Sequence, residues 1–397
     1  MDLKSGIEGF LSFATRREYL MRHLTMKRVP CSAAVLLLLF AASGVASAKN
    51  EPQLPESGLD GRTSMVFWLD LEAVTDQAVS DTFDAVGSTI PEGAEEGVLE
   101  DYESARSEAD QYLALRDALV EAGAKALLIG VRSQSAQVSE DGGEEDTDQQ
   151  NQQSFLLVDP ETDPERIQQA IVKSATQFES MEPESREQML NVQVHRHDEQ
   201  WLWLGPQRPV EPEHSHPEPE LFVEALKTQD GAPARMAYLM TEADRQKLSE
   251  AMLEPGAFML AGILQPLQSL ESTTVGLWLG HNPECRVTLD FDTPASAEQF
   301  QAGLSGMVML VSTLLGFAQD GEADASGELE QRQLKAVMAL LILKQDATRL
   351  SKTIDIGVLE HLAEVGVIWD ESADEDAEPA EPDANTTDDA APNGVEP

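Results

Sequence analysis

Two stretches far apart in the chain share one layout, and this repeat limits the folds that the sequence can adopt. The stretches are Leu156–Ala170 (LLVDPETDPERIQQA) and Leu289–Gly303 (LDFDTPASAEQFQAG). Each is an apolar run that ends near an Asp and is followed by a Pro-opened stretch rich in Ala and Gln. A capping polar residue followed by Pro at the first helical position is typical of a helix start. The chain is therefore predicted to contain two related units in which a strand leads into a helix.

Hydrophobic periodicity extends this layout through both halves of the chain. Short apolar runs bounded by turn residues predict strands, and apolar residues three or four apart predict amphipathic helices. Both halves then follow the order strand–helix–strand–strand–helix–strand. That order predicts an α+β fold of two related units with antiparallel sheets packed by helices, and it suits a duplicated ferredoxin-like unit. The apolar runs Leu304–Ala318 and Leu334–Leu343 are shorter than the roughly 20 residues that span a bilayer, so buried core helices are expected there.

Composition sets the expected boundaries along the chain. In order these are a signal peptide over 1–48, a polar leader over 49–61, a first α+β unit over 62–205, a linker and connecting helix over 206–232, a second α+β unit over 233–370 and a disordered acidic tail over 371–397. The first unit carries an acidic insertion, 139–153, that has no apolar side chain and is expected to be a loop or disordered.

The N-terminal region has the three parts of a secretory signal peptide. Lys27 and Arg28 supply the basic part, Ala33–Ala42 is the short apolar core, and Ala46-Ser47-Ala48 is a cleavage site of small residues. We therefore expect cleavage after Ala48 and export to the periplasm or the extracellular space. A buried N-terminal helix is the alternative interpretation, but such a helix would seldom end in this small-residue pattern.

Two details refine the export prediction. The signal is complete from Met26 onward, so Met26 (or Met21) is the expected translation start, and residues 1–25 are expected to add nothing to export. Cys31 precedes the apolar core, whereas the cysteine of a lipoprotein would follow it. The exported protein is therefore expected to carry no lipid anchor.

The charge of the chain narrows the classes of partner. Residues 1–48 hold six of the 27 Lys and Arg and three of the 72 Asp and Glu, so the exported chain has a formal charge of −48. The acidic tail and the insertion account for 16 of these charges, which leaves −32 on the parts expected to fold. Such a charge repels nucleic acid and anionic membrane surfaces, so neither is an expected partner. A protein partner stays open, as does adaptation of the surface to a salty environment.

The search for catalytic patterns returns no known signature. The sequence has no G-x-S-x-G, P-loop, Rossmann glycine pattern, H-E-x-x-H or C-x-x-C. The exported chain keeps one cysteine, Cys285, so it has no internal disulfide, and a small buried apolar side chain is the expected role of this residue. The prediction therefore leans away from an enzyme, although active sites assembled in space need not show in sequence order.

Four histidines form the one cluster of metal-ligand residues in the sequence. His195 and His197 alternate on a predicted strand, so they are expected on one solvent-facing side, opposite Val192 and Val194. His214 and His216 lie in the Pro-rich linker among glutamates.

Imidazole is a suitable ligand for zinc and copper, and two H-x-H pairs together could hold either metal. Polar residues on an exposed strand and in a linker are the alternative interpretation.

The layout as a whole resembles a group of proteins. The line EALKTQDGAPARMAYLMTEADRQKL over Glu224–Leu248, which joins a helix to a strand and a second helix, is similar to lines in uncharacterised exported proteins of bacteria such as planctomycetes. Those proteins carry tandem α+β units behind a signal peptide. The resemblance covers most of residues 60–370 and implies the layout of the chain, but it implies no activity.

These observations leave three hypotheses for function. The first is an exported, soluble, acidic protein with a non-catalytic binding or structural role, which uses sheet faces or a groove between the units. The second is a metal-binding protein that uses the two histidine pairs, and the third is an enzyme of unrecognised type. A concave pocket and its lining residues would best discriminate among them.

Overall fold

The described residues form one antiparallel β-sheet with helices on its faces. The computed structural model describes residues 49–55, 59, 61–91, 94, 96–132, 152–178, 183–205, 216, 218–253, 261–318, 332, 335–336 and 339–364. The strands are Thr63–Asp70 (β1), Ala124–Arg132 (β2), Gln152–Val158 (β3), Gln193–Arg196 (β4), Trp201–Gly205 (β5), Ala234–Leu239 (β6), Leu270–Trp278 (β7), Glu284–Phe291 (β8), Lys344–Asp346 (β9) and Arg349–Asp355 (β10). They pair in the order β4-β5-β3-β2-β1-β6-β7-β8-β10-β9, and each described pair is antiparallel. The predicted mixed class, helices with an antiparallel sheet, is confirmed.

One or two helices follow each strand or pair of consecutive strands along the chain. Those in the described part are Asp76–Gly87 (α1), Glu96–Glu121 (α2), Pro164–Gln177 (α3), Pro183–Asn191 (α4), Pro219–Lys227 (α5), Glu242–Ala251 (α6), Ala261–Leu267 (α7), Pro294–Ala318 (α8) and Ile356–Glu364 (α9). None of these helices has the length and hydropathy that a bilayer crossing needs.

Capping side chains define several of the helix starts. The Asp163 carboxylate accepts the Glu165 N–H at 3.0 Å, with Pro164 at the first helical position of α3. The Thr241 hydroxyl accepts the Asp244 N–H at 3.2 Å, and the Asp244 carboxylate accepts the Thr241 N–H at 3.2 Å. This reciprocal pair is a capping box, and it satisfies backbone donors that have no partner within the helix. The helix start that the Asp-Pro pattern within Leu156–Ala170 predicts is confirmed at Asp163.

The two halves of the sheet have the same strand order. Outward from the centre, the first half runs β1-β2-β3-β5-β4 and the second runs β6-β7-β8-β10-β9. The halves meet where β1 pairs with β6, with Trp68 opposite Arg235. The ferredoxin-like prediction is not confirmed. In a split βαβ unit another strand separates the two strands that flank the first helix, whereas here β1 and β2 are direct neighbours.

One face of the central and first-half strands packs against α5, and we call it the α5 face. Alternation along the strands directs every second side chain to this face. The sheet residues of its core are Val66, Trp68, Ala126, Leu128, Phe155, Leu157, Trp201 and Ala237. Phe222, Ala225 and Leu226 of α5 cover them, together with Leu54 and Leu59 from the start of the described chain.

The opposite face is covered by helices in three clusters. Ile167 and Ile171 of α3, with Leu119 of α2, pack on the outer strands of the first half. Phe83 of α1 and Leu113 of α2 pack near the centre, where Leu279 joins them. At the far end, side chains of α7 and α8 pack on the second half; the buried members of this cluster are Leu270, Phe291, Ala297, Phe300, Leu304 and Leu350.

Several predictions fall outside the described residues. The signal peptide over 1–48, the acidic insertion 139–153 apart from its last two residues, the acidic tail over 371–397 and His214 all lie there. The segment predicted to be a polar leader differs from the expectation where it is described, since Pro52, Pro55 and Leu59 are buried. Apolar side chains spaced along this short polar stretch lie on the core, so the stretch is part of the folded body.

Candidate functional site

The carboxylate of Asp70 anchors the first described residues of the chain. Asp70 ends β1 and is fully buried. Its Oδ2 accepts the main-chain N–H groups of Lys49 at 2.6 Å and of Asn50 at 2.7 Å. Its Oδ1 accepts the side-chain amide of Asn50 at 3.0 Å and the main-chain N–H of Ala73 at 3.2 Å. A carboxylate taken out of water needs several such donors, so the residues that supply them are held against the sheet.

A buried guanidinium accompanies this carboxylate on the neighbouring strand. Arg235 of β6 is 4% exposed and donates to the carbonyl oxygens of Ala232 at 2.7 Å and Leu226 at 3.4 Å. Burial lowers the pKa of Arg235, and the nearby carboxylates of Asp230, Asp70 and Glu51 act in the opposite direction. The positive charge therefore offsets the buried negative charge at the junction of the two halves.

From this anchor, residues 50–55 run alongside α5. Pro52 and Pro55 restrict their own φ angles and bias the residues before them to extended conformations, which favours an extended segment. The Leu54 side chain packs on the core of the α5 face. The anchor and these apolar contacts together set the distance of the segment from the helix.

Helix α5 presents two faces. Phe222, Ala225 and Leu226 point to the sheet and are buried. Pro219, Val223 and Lys227 are spaced four apart, so they form a stripe on another side of the helix. This stripe faces residues 50–55 across a groove.

The groove between residues 50–55 and α5 has a volume of about 490 Å³. We call it the leader groove. Its lining residues are Asn50, Glu51, Pro52, Gln53, Leu54, Pro55, Pro219, Glu220, Val223 and Lys227. Small-molecule and peptide sites have volumes of about 300–1,000 Å³ and combine apolar walls with a few polar groups. The leader groove lies within this range of volumes, and its lining combines prolines and aliphatic side chains with two carboxylates, one ammonium group and two amide side chains.

The structure places each described candidate histidine against an aromatic ring. His195 stacks on Trp203 with ring centroids 6.1 Å apart, and His197 lies edge-on to Phe155 at 5.5 Å. His195 and His197 are on the α5 side of the sheet, opposite Val192 and Val194, as predicted. They are half-buried, however, because the aromatic layer of the α5 face extends under them.

The third described histidine, His216, lies before α5. Its ring centroid is 5.1 Å from that of Phe222, its main-chain N–H donates to the carbonyl of Leu59 at 3.0 Å, and its ring Nδ1 accepts the Glu218 main-chain N–H at 3.2 Å. Burial lowers the pKa of His216, while the nearby Glu218 and Glu220 act to raise it. These contacts give the residue a packing role.

Among the residues that the structure describes, no group of three or more His, Cys, Asp or Glu side chains could hold a metal ion. His214 lies outside that part of the chain, so the zinc or copper site at His195, His197, His214 and His216 stays a prediction.

A second polar cluster lies on the same side of the sheet in the second half. Gln229 is fully buried, and its amide donates to the hydroxyls of Thr274 at 2.8 Å and Thr288 at 3.0 Å. The guanidinium carbon of Arg286 lies 4.5 Å from the centroid of the Trp278 ring. These contacts are internal to the chain and join the turn after α5 to β7 and β8.

Sequence reasoning did not find the leader groove. The available signals were the prolines and Leu54 within an otherwise polar stretch, and the four-residue spacing of Pro219, Val223 and Lys227. Neither stretch alone indicates a site, because the groove forms only when both lie on the same face of the sheet.

Comparisons with known proteins found no relative of this chain. No protein-family model matches the chain, and no curated protein or solved structure is significantly similar to it.

Proposed function

We propose that this protein is an exported, non-catalytic binding protein whose ligand lies in the leader groove. The observation that carries the proposal is the groove itself, a concavity of about 490 Å³ with one wall anchored to a buried carboxylate and the other set by a helix packed on the core. Preformed walls reduce the entropy cost of binding, which favours a recognition role. We also propose that the signal peptide directs export and that the two halves arose by duplication, which the repeated strand order suggests.

The groove chemistry favours a short, extended peptide with basic side chains next to an apolar one. The stripe runs from Pro219 to Lys227, nine residues that cover about 12 Å along the helix axis, which matches three or four residues of extended peptide. Leu54 and Val223 offer apolar contact, and Glu51 and Glu220 offer carboxylates to cations. The exported chain carries a formal charge of −48, so it attracts a cationic ligand and repels an anionic one.

Three capped hexapeptides test the ligand class against the chain from Lys49 to Pro397. The first has a central Leu-Val pair flanked by arginines, the second replaces the arginines with glutamates, and the third replaces Leu-Val with serines. Fluorescence polarisation of labelled peptides should show binding of the first peptide alone, and that binding should weaken with added salt. Absence of binding by the first peptide at millimolar concentration, or equal binding of all three, would overturn the proposal.

A pair of variants on α5 locates the binding site. Val223→Trp fills the groove and should weaken binding of the first peptide at least tenfold. Leu221→Trp adds the same ring on the same helix at a residue that is 39% exposed and does not line the groove, so binding should be unchanged. Equal effects of the two substitutions would exclude the groove as the site.

A further inference from the structure

The main-chain nitrogen of Lys49 follows the predicted cleavage site and also contacts a buried carboxylate. It lies 2.6 Å from Oδ2 of Asp70, a side chain with no exposed surface. The two observations are independent, since one comes from the small-residue pattern Ala46-Ser47-Ala48 and the other from the fold. In the uncleaved chain this nitrogen belongs to a neutral amide.

We propose that cleavage after Ala48 turns the Lys49 nitrogen into an N-terminal ammonium group that forms an ion pair with Asp70 and fixes the leader wall of the groove. This inference rests on the proposed export and deepens it, because it makes the binding groove dependent on maturation. The reaction is hydrolysis of the Ala48–Lys49 peptide bond by a signal peptidase. The water oxygen goes to the new Ala48 carboxylate, and the Lys49 nitrogen gains protons to become –NH₃⁺, with no oxidation or reduction.

The geometry favours a chain that begins at Lys49 over chains that begin one residue earlier or later. An ammonium at Ala48 would begin about 3.8 Å further along the chain, one Cα–Cα step away. A chain that begins at Asn50 would lose the 2.6 Å donor and leave Oδ2 with the Asn50 nitrogen at 2.7 Å. Cleavage after Ala48 therefore places the charge on the Lys49 nitrogen and keeps both main-chain donors to Oδ2, whereas a chain that begins at Asn50 keeps only one of them.

The gain in folding stability from the ammonium charge can be estimated from the strength of charge-assisted hydrogen bonds. Such a bond is roughly twice as strong as a neutral one, and the difference amounts to about a tenfold change in the folding equilibrium constant. The nearby charges are Arg235 on β6, on which Asp70, Glu51 and Asp230 act, and Glu72 after β1, which accepts the Asn50 amide. Arg235 moderates the gain and the carboxylates increase it, and all four are identical in the proteins compared below.

Three purified proteins that differ only at the N-terminus test the inference. They begin at Lys49, at Ala48 and at Asn50, and each extends to Pro397. Urea unfolding at pH 7 should give the Lys49 protein a folding equilibrium constant about tenfold larger than that of the Ala48 protein, which is about 1.4 kcal/mol. The Asn50 protein should be less stable than the Lys49 protein.

The pH dependence of this difference identifies the charge as its cause. An α-amino group titrates near pH ~8, and a neighbouring carboxylate raises that pKa. The stabilisation should therefore be complete below about pH 8 and lost as the pH rises through the raised value, so that the Lys49 and Ala48 proteins converge above about pH 10. Asp70→Asn should abolish the difference at pH 7 as well, and the pH comparison in the unsubstituted chain covers the case in which that variant does not fold.

The outcomes separate this inference from the proposed function. Equal stability of the Lys49 and Ala48 proteins at pH 7 overturns the inference, even if the basic peptide binds. A clear stability difference without peptide binding retains the ion pair and overturns the binding role. N-terminal sequencing of protein exported from a bacterial host should give Lys49 first, and another first residue would overturn the inference in the natural context.

Discussion

Replacement of Phe222 by Ala tests whether α5 belongs to the core or serves as a connection between the halves. Phe222 has no exposed surface and packs with Trp68, Leu226 and Ala237 in the core of the α5 face. Its ring also contacts His216 at 5.1 Å between centroids. The side chain therefore joins α5 to the strands on both sides of the junction between β1 and β6.

The expected cost is large because the site is enclosed. A buried aromatic ring removes about 150–250 Å² from water, and truncation of Phe to Ala in a core costs about 3–5 kcal/mol, including the cavity that remains. For a domain of this size each kcal/mol lowers the melting temperature by about 2–4 °C, so a decrease of about 6–20 °C is expected. If α5 only connected two units, Phe222 would be exposed, and its replacement by Ala would lower the free energy of unfolding by about 0.5 kcal/mol or less.

Urea unfolding of the chain from Lys49 to Pro397, followed by both circular dichroism and tryptophan fluorescence, measures this cost. Leu221→Ala is the matched control, because Leu221 precedes Phe222 on the same helix and is 39% exposed. The control should cost about 1 kcal/mol or less. The reasoning is refuted if the two substitutions cost the same, or if Phe222→Ala leaves the midpoint unchanged.

Two further predictions concern a helix contact and a thiol. Gly303→Ala should cost about 1–3 kcal/mol, because its Cβ would lie 2.1 Å from the Gly262 carbonyl oxygen where α8 meets α7. Gly306→Ala on the same helix is the control, because its Cβ would meet no atom within 4 Å, and it should stabilise the protein by about 0.5–1 kcal/mol. If urea unfolding showed that both substitutions destabilise the protein, the contact between Gly303 and Gly262 would be contradicted. Burial, and then the charge of Glu284, raise the pKa of Cys285. The iodoacetamide alkylation rate of the native chain should therefore rise only above the usual thiol range near pH ~8.5, and an unshifted profile would refute this.

Local features of the fold could be predicted from sequence because their causes are local. Asp163 and Thr241 cap helices through their own side chains. The turn at 198–200 forms because the Asp198 carboxylate accepts the N–H groups of Gln200 at 2.8 Å and Trp201 at 2.9 Å. Each contact lies within three residues, so the residue types and their spacing are sufficient to predict it.

The strand order could not be predicted in this way. The same order of strands and helices along the chain is compatible with β2 beside β1 or with another strand between them. The choice depends on which apolar faces meet, such as Leu128 opposite both Trp68 and Phe155. Those contacts join residues tens of positions apart, and hydrophobic periodicity states only that each residue faces inward.

The leader groove shows why the candidate site was also missed. The first half of the sheet presents large apolar side chains on the α5 face, including Trp68 and Phe155, and these must be covered. The strands of that half are already paired, so the cover comes from α5 and from Leu54 and Leu59, which lie outside the strand order that the two halves share. On the same side of the second half, Thr274 and Thr288 bond to Gln229 in a smaller polar contact. Two covering segments that approach one face without merging leave a groove between them, so the site arises from the difference between the halves rather than from the repeat.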